Sequence, residues 1–284
     1  MHLGSAASRA ATLLVKRPGL FGRVMFAKLN TARRLPRLPA SKRINGVVFE
    51  YTLERYRGTA PMYFGSYAPL VIEAMRRFLK RGDIFIDVGA SIGYLSAIGA
   101  GLVGCGGQVH CFEPAPPYFE RLKRLAELNP GHRIVPNACA AGEKAGRCRI
   151  YITREAGQNT MVPAYQPAME ITSSLEVPVA RLDSYIEQRG LERVALIKID
   201  AEGYEFPALR GLQGFFERTE RLPAIICEIA PRAYPLTGKR PTDLADYMSD
   251  YGYGAFDLID GSTPADLSEI DQVEDILFLP RRAF

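Results

Sequence analysis

Asp87, Glu113, Asn137, Asp200 and Glu228 each fall at the end of a short apolar run that reads as a β-strand. Four of the five are carboxylates, able to hold a cation, accept hydrogen bonds from a diol or receive a proton. The first two belong to the stretch GDIFIDVGASIGYLSAIGAGLVGCGGQVHCFEP, residues 82–114. Its apolar run 84–88 ends in a glycine-bracketed turn, Gly89-Ala90-Ser91-Ile92-Gly93, and Glu113 follows 20 residues after Gly93. Strand, glycine turn, helix, strand and acid is the order in which a Rossmann-like α/β domain holds a nucleoside.

The residue types narrow the nucleoside. A dinucleotide site needs G-x-G-x-x-G with backbone against a pyrophosphate, whereas this turn reads D-x-G-x-x-x-G. Asp87 would repel a phosphate and suits a cation. S-adenosylmethionine has an ammonium, a sulfonium, a ribose diol and no phosphate. Asp87 near its ammonium, Glu113 on its diol, and Gly89, Ala90, Ser91 and Gly93 as the cradle would fit it, with Asn137 at the next strand end. A plain βα turn with two capping acids and a dinucleotide site are the competing readings.

A second constellation is Leu196-Ile197-Lys198-Ile199-Asp200-Ala201-Glu202-Gly203. Period-two alternation puts Lys198, Asp200 and Glu202 on one side if the strand runs that far. Methyl transfer to an alcohol needs alignment and removal of one proton. Asp200 or Glu202 could be the base, could hold a divalent metal that acidifies the alcohol, or could clamp the substrate or cap the next helix. All three roles stay open.

The elements that must position these groups are legible as an alternation. A strand or hairpin arm over 44–53 and a helix over 67–80 precede strand 84–88, helix 94–102, strand 108–112, helix 116–129 and strand 133–137. Strand 147–153, a loop over 154–176 and a helix capped by Asp183 come next. Strand 194–199, helix 204–217, strand 223–229, helix 241–250, strand 253–259 and an antiparallel last strand 273–279 complete the pattern. It predicts a doubly wound, mostly parallel sheet covered on both faces, with ligands outside the carboxyl ends of its strands. Aromatic residues Tyr51, Tyr56, Tyr63, Phe64 and Tyr67 gather ahead of the core, as packing or as a sugar-stacking lid.

Composition is that of a soluble core: 284 residues, 47% hydrophobic and 24% charged. No apolar run approaches the ~18 residues of a membrane span. Five cysteines without a C-x-x-C pair suggest reduced cytoplasmic thiols. Three histidines without ligand spacing argue against zinc hydrolysis and histidine triads. Residues 1–45 carry ten Lys/Arg and no acid, leaving the remainder net acidic. We divide the chain into this basic extension (1–45) and a catalytic domain (46–284). The extension could fold against its own domain, lie on an anionic membrane as a peripheral amphipathic helix, or serve as a transit peptide.

Together GDIFIDVGASIGYLS (82–96), HCFEP (110–114), Asn137-Ala138, VPVARLDSYI (177–186), LIKIDAEGYEFPALRGL (196–212) and AIICEI (224–229) resemble the FkbM family of S-adenosylmethionine-dependent methyltransferases. The K-I-D-x-E-G-x-E pattern is the most discriminating of these. The resemblance implies the class I methyltransferase fold and O-methylation of sugars, glycans or polyketide-type metabolites. Two departures stand out: Ser91 where the family commonly has Asn, and Gly65-Ser66-Tyr67-Ala68 where it often has G-x-Y-E. Ala115-Pro116-Pro117-Tyr118 imitates the Asn/Asp-Pro-Pro-Tyr motif of amino-methyltransferases. It lacks the amide or acid side chain, and its prolines suit a helix start. A small-molecule or glycan acceptor is expected rather than nucleic acid. A non-catalytic cofactor-binding module and an RNA or protein methyltransferase are the alternatives.

Overall fold

The computed structural model describes residues 41–51, 62–63, 65, 67–153, 159–163 and 170–281, with five further positions between 14 and 22. Nearly all of segment 1–40 lies outside the described residues, and with it the membrane, transit-peptide and docking readings of the extension. So do Tyr56, Phe64 and most of 154–169. No helix among the described residues is long and apolar enough to cross a membrane.

The chain opens with a hairpin, β1 (Ser41–Ile44) and β2 (Val47–Glu50), and helix α1 (Pro69–Phe78) follows. Then come β3 (Ile84–Val88), α2 (Tyr94–Val103), β4 (Gln108–Phe112), α3 (Pro116–Leu128) and β5 (Arg133–Asn137). A small sheet is formed by β6 (Ala140–Ala141), β7 (Gly146–Thr153) and β8 (Ile171–Ala180). After α4 (Leu182–Gln188) the core resumes with β9 (Val194–Ile199), α5 (Glu205–Arg210), α6 (Gln213–Arg218) and β10 (Ala224–Ile229). Helix α7 (Pro241–Asp250), β11 (Tyr253–Asp257) and β12 (Glu274–Pro280) complete the fold.

The main sheet runs β11-β12-β10-β9-β3-β4-β5. Strands β10, β9, β3, β4 and β5 pair in parallel, and β12 is antiparallel to both β10 and β11. The chain leaves β3 toward β4 and returns on the other side of it at β9. The switch in strand order, where such sheets bind ligands, therefore lies between β3 and β9. This is the Rossmann-like, doubly wound α/β architecture expected from the alternation.

Period-two alternation divides the core. Phe85, Leu196, Ile226 and Leu277 face one apolar layer with α1, α2, α3 and the hairpin. Ile86, Ile197, Ile225 and Phe278 face the other, with α4 to α7. Helix α2 is buried on almost every side, and Gly99 lets it sit against the Phe85 ring. The hairpin turns on Asn45-Gly46, both at positive φ, the chemistry of a two-residue type I′ turn. Asn129, just past α3, clamps it in place: its side chain accepts from Val48 N at 2.7 Å and donates to Val48 O at 2.8 Å.

Four sequence expectations change. The hairpin starts at Ser41, ahead of the strand read at 44–53. Residues 171–176, expected as loop, are strand: β8 pairs with β7 along its length. The helix expected over 204–217 is two, broken at Gly211 and Leu212 because Gly211 packs against the Gly142 carbonyl. Asp183 is not the cap of α4, a place Arg181 takes. Its carboxylate instead pairs with Arg181 and accepts from Gly214 N at 3.1 Å, tying α4 to α6.

Candidate active site

On the α1–α2 face, three neighbouring core strands carry a polar group at the same end of the sheet. Asp87 ends the Phe85 row of β3, Lys198 the Leu196 row of β9, and Glu228 the Ile226 row of β10. Asp87 and Lys198 are register partners, as are Glu228 and Asp275 of β12. The Lys198 ammonium is buried and bonds Asp200 at 2.7 Å. Burial alone would favour its neutral form. Asp200, Asp275 and Asp87 together outweigh that and hold its pKa above the ordinary value. Asp87 is 1% exposed and receives the hydroxyl of Ser96 from the first turn of α2. Burial raises its pKa, against the opposing pull of Lys198.

The glycine turn is shaped by contacts on both sides. Gly89 and Ala90 donate N–H groups to the Phe112 carbonyl, each at 3.0 Å. Gly89 lies at φ +75° with its Cα against the main-chain carbonyl of Asp200. Ser91 takes φ +49°, a region where Asn is favoured over Ser, and Glu113 holds it there. One Glu113 oxygen accepts from Ser91 N at 2.9 Å and the other from Ala115 N at 2.8 Å. Burial nevertheless pushes the Glu113 carboxyl up to about 7.

The turn after β9 is organised in the same way. Glu205, nearly inaccessible at the head of α5, accepts from Ala201 N at 3.0 Å and Gly203 N at 2.9 Å. This allows Glu202 to take φ +50° and Gly203 φ +96°. From the far side Thr160 donates its hydroxyl to the Glu202 carbonyl at 2.6 Å. Burial, then Asp200 and Glu205, push the Glu202 carboxyl up to about 8.

One cavity is lined by Asp87, Gly89, Ala90, Ser91 and Glu113 from the first constellation and by Lys198, Asp200 and Glu202 from the second. Glu228 closes one end, and Tyr67, Tyr94, Tyr118, Ile150 and Met161 supply apolar walls. Two expected residues stand back from it. Gly93 does not line the cavity; its missing Cβ admits Leu122 and Leu125 of α3. Asn137 does not line it either. Its side-chain amide donates to Cys111 O and Val135 O, and its main-chain carbonyl receives Glu113 N–H at 3.1 Å, so it seats Glu113. Sequence reasoning missed Asp275, Ile150 and Met161. The first needs the strand order, and the others need the small sheet and the 159–163 strap. Among the described residues, no group of three or more His, Cys, Asp or Glu side chains is arranged to hold a metal ion.

Comparison with known proteins gives a consistent picture. The family model described as the methyltransferase FkbM domain matches residues 87–254, which include both constellations. The 31-O-demethyl-FK506 methyltransferase FkbM of Streptomyces tacrolimicus is 31% identical over 163 residues, covering 48% of this chain and 61% of that protein. The hexuronic acid methyltransferase AglP of Haloferax volcanii is 23% identical over 142 residues, covering 50% of this chain and 55% of that protein. The matched region thus spans a little over half the length of these relatives. Among solved structures, Aeropyrum pernix fibrillarin with bound S-adenosyl-L-methionine aligns with a TM-score of 0.42 at 13% identity, covering 74% of this chain and 73% of that one.

Proposed function

The chain belongs to the FkbM family of S-adenosylmethionine-dependent methyltransferases, and we propose that it methylates a hydroxyl of a saccharide, glycan or polyketide-type metabolite. The observation that carries this reading is the charge of the cavity. Asp87, Glu113, Asp200, Glu202 and Glu228 line it against the single ammonium of Lys198, which is already bonded to Asp200. Such a lining offers acceptors and ionisable acids to a cation without phosphates, and gives a diphosphate or a nucleic-acid backbone only one cation, already paired.

The residues present fit S-adenosylmethionine. Gly89, packed on the Asp200 carbonyl, sets the turn that lines the cavity, and Asp87 offers an anion for the ammonium. Each Glu113 oxygen receives one amide and keeps a lone pair for the ribose diol. When bound, the sulfonium supplies an electrophilic methyl group with a neutral thioether as leaving group. The protein's tasks are to orient the acceptor and take its proton. In this reading Asp200, fixed by Lys198, orients the hydroxyl and Glu202 shares that role. The Tyr67, Tyr94 and Met161 walls suit the C–H face of a sugar or a polyketide. We place the enzyme in the cytoplasm, with segment 1–45 available to an anionic membrane surface.

The test is methyl transfer from labelled S-adenosylmethionine to a panel of monosaccharides, uronic acids and hydroxylated macrolides. A labelled ether product that disappears in Asp200→Asn and Glu202→Gln, with S-adenosylhomocysteine still bound, is expected. Cofactor binding without transfer to any member would favour a non-catalytic module.

A further inference from the structure

Glu228 ends β10 and lines the cavity, yet its Oε2 is buried without a hydrogen-bond partner among the described residues. Three of the other cavity acids are engaged through their carboxylates. Asp87 receives Ser96, Glu113 receives two backbone N–H groups, and Asp200 receives Lys198. Glu202 is fixed through its main chain by Thr160. A buried carboxyl oxygen without a partner is costly in a structural role and calls for a functional account.

The surroundings of Glu228 are almost uniformly acidic. Asp275 stands directly opposite on β12. Asp200 and Lys198 approach from β9, and Glu202 and Glu205 from the turn that follows. Tyr67, ahead of α1, and Tyr234, beyond β10, complete the shell. The only cation among them, Lys198, is bonded to Asp200. Burial first, then Asp200, Glu205 and Glu202, hold the Glu228 carboxyl well above the usual carboxylate range, so the ligand-free cavity favours its protonated form.

We infer that Glu228, the cavity acid with a buried and unpartnered carboxyl oxygen, is the group that takes up the proton lost by the acceptor hydroxyl. This rests on the methyltransferase reading above. A sulfonium adds a positive charge beside the acids and favours loss of the Glu228 proton. In the transfer the acceptor O–H bond breaks and its proton goes to the Glu228 carboxylate. The oxygen bonds the methyl carbon, and the electron pair of the carbon–sulfur bond stays on sulfur. The resulting thioether is neutral, so the charge that favoured the carboxylate is gone and the proton is retained.

The experiment needs no acceptor. Isothermal titration near neutral pH, in buffers of differing ionisation enthalpy, counts the protons released on binding S-adenosylmethionine and S-adenosylhomocysteine. The sulfonium ligand is expected to release about one proton more than the thioether. Glu228→Gln should lose that excess while binding S-adenosylhomocysteine within about threefold of the parent. Equal counts in the parent, or an excess that survives Glu228→Gln, overturn the inference. If the Gln variant fails to bind S-adenosylhomocysteine, Glu228→Asp takes its place. Binding with the excess retained then supports the inference, and binding without it overturns it. Binding of neither ligand to the parent overturns the cofactor reading and this inference together.

Discussion

The Cα of Gly89 lies against the main-chain carbonyl oxygen of Asp200, close enough that a Cβ at position 89 would overlap it. The glycine turn and the K-I-D-x-E-G-x-E segment are therefore one structural unit, joined also by Asp200 N–H donating to Val88 O at 3.1 Å. Gly89→Ala is expected to push the two turns apart and to force alanine to φ +75°. The combined strain should lower stability by about 2–4 kcal/mol. S-adenosylhomocysteine affinity should fall at least about tenfold, or ~1.4 kcal/mol. Urea unfolding and calorimetric titration check the two parts separately.

Among the described residues, Lys198 is the one buried cation facing Asp87, Asp200 and Asp275. Lys198→Met keeps the length of the side chain and removes the charge. It should cost about 3–5 kcal/mol, because it leaves buried acids unpaired. The loss should shrink as the pH is lowered and those acids protonate, which urea titrations at two pH values would show.

Thr160 holds the left-handed Glu202 from above through its hydroxyl. Thr160→Val removes the donor at constant shape and is expected to cost about 1–2 kcal/mol. It should lower turnover more than cofactor affinity. Thr160→Ser restores the donor and should recover most of both, a contrast read from parallel unfolding and methyl-transfer assays.

The buried acids make ligand-free stability fall with rising pH. Glu113 and Glu205 are raised to about 7 and Glu202 to about 8, all from 4.5, with burial the leading cause. Between those limits the native state binds more protons than the unfolded chain, so stability present at low pH is lost as pH climbs through the folded values. His110 acts oppositely below 6.5, since burial lowers it to about 4. The clearest fall should therefore come between about pH 6.5 and pH 8. Melting temperature against pH measures it, and Glu202→Gln should flatten the slope.

Much of this was legible in the sequence because two periodicities are strong here. Apolar alternation located β3, β4, β9 and β10, and put Asp87, Asp200 and Glu228 at strand ends. What remained hidden depends on contacts distant in sequence. Asp275 reaches Glu228 only because β12 inserts between β10 and β11, an order no local pattern encodes. The polar run Ile171–Glu176 reads as loop because its side chains are mostly solvent-facing, and pairing with β7 makes it a strand. Glu113 was recognisable as an acid at the right spacing. That its two oxygens hold Ser91 and Ala115 in place was not, and neither was the retreat of Asn137 into a supporting role.

The central claim is that the acid-lined cavity at the β3–β9 switch binds a phosphate-free adenosyl thioether through Glu113 and the glycine turn. Its most direct measurement is calorimetric titration of the protein with S-adenosylhomocysteine and with NAD, repeated on Glu113→Ala. Saturable S-adenosylhomocysteine binding, no NAD heat and at least about a tenfold loss in the variant are predicted. Absence of S-adenosylhomocysteine binding, tighter binding of NAD, or equal affinity in Glu113→Ala would contradict it.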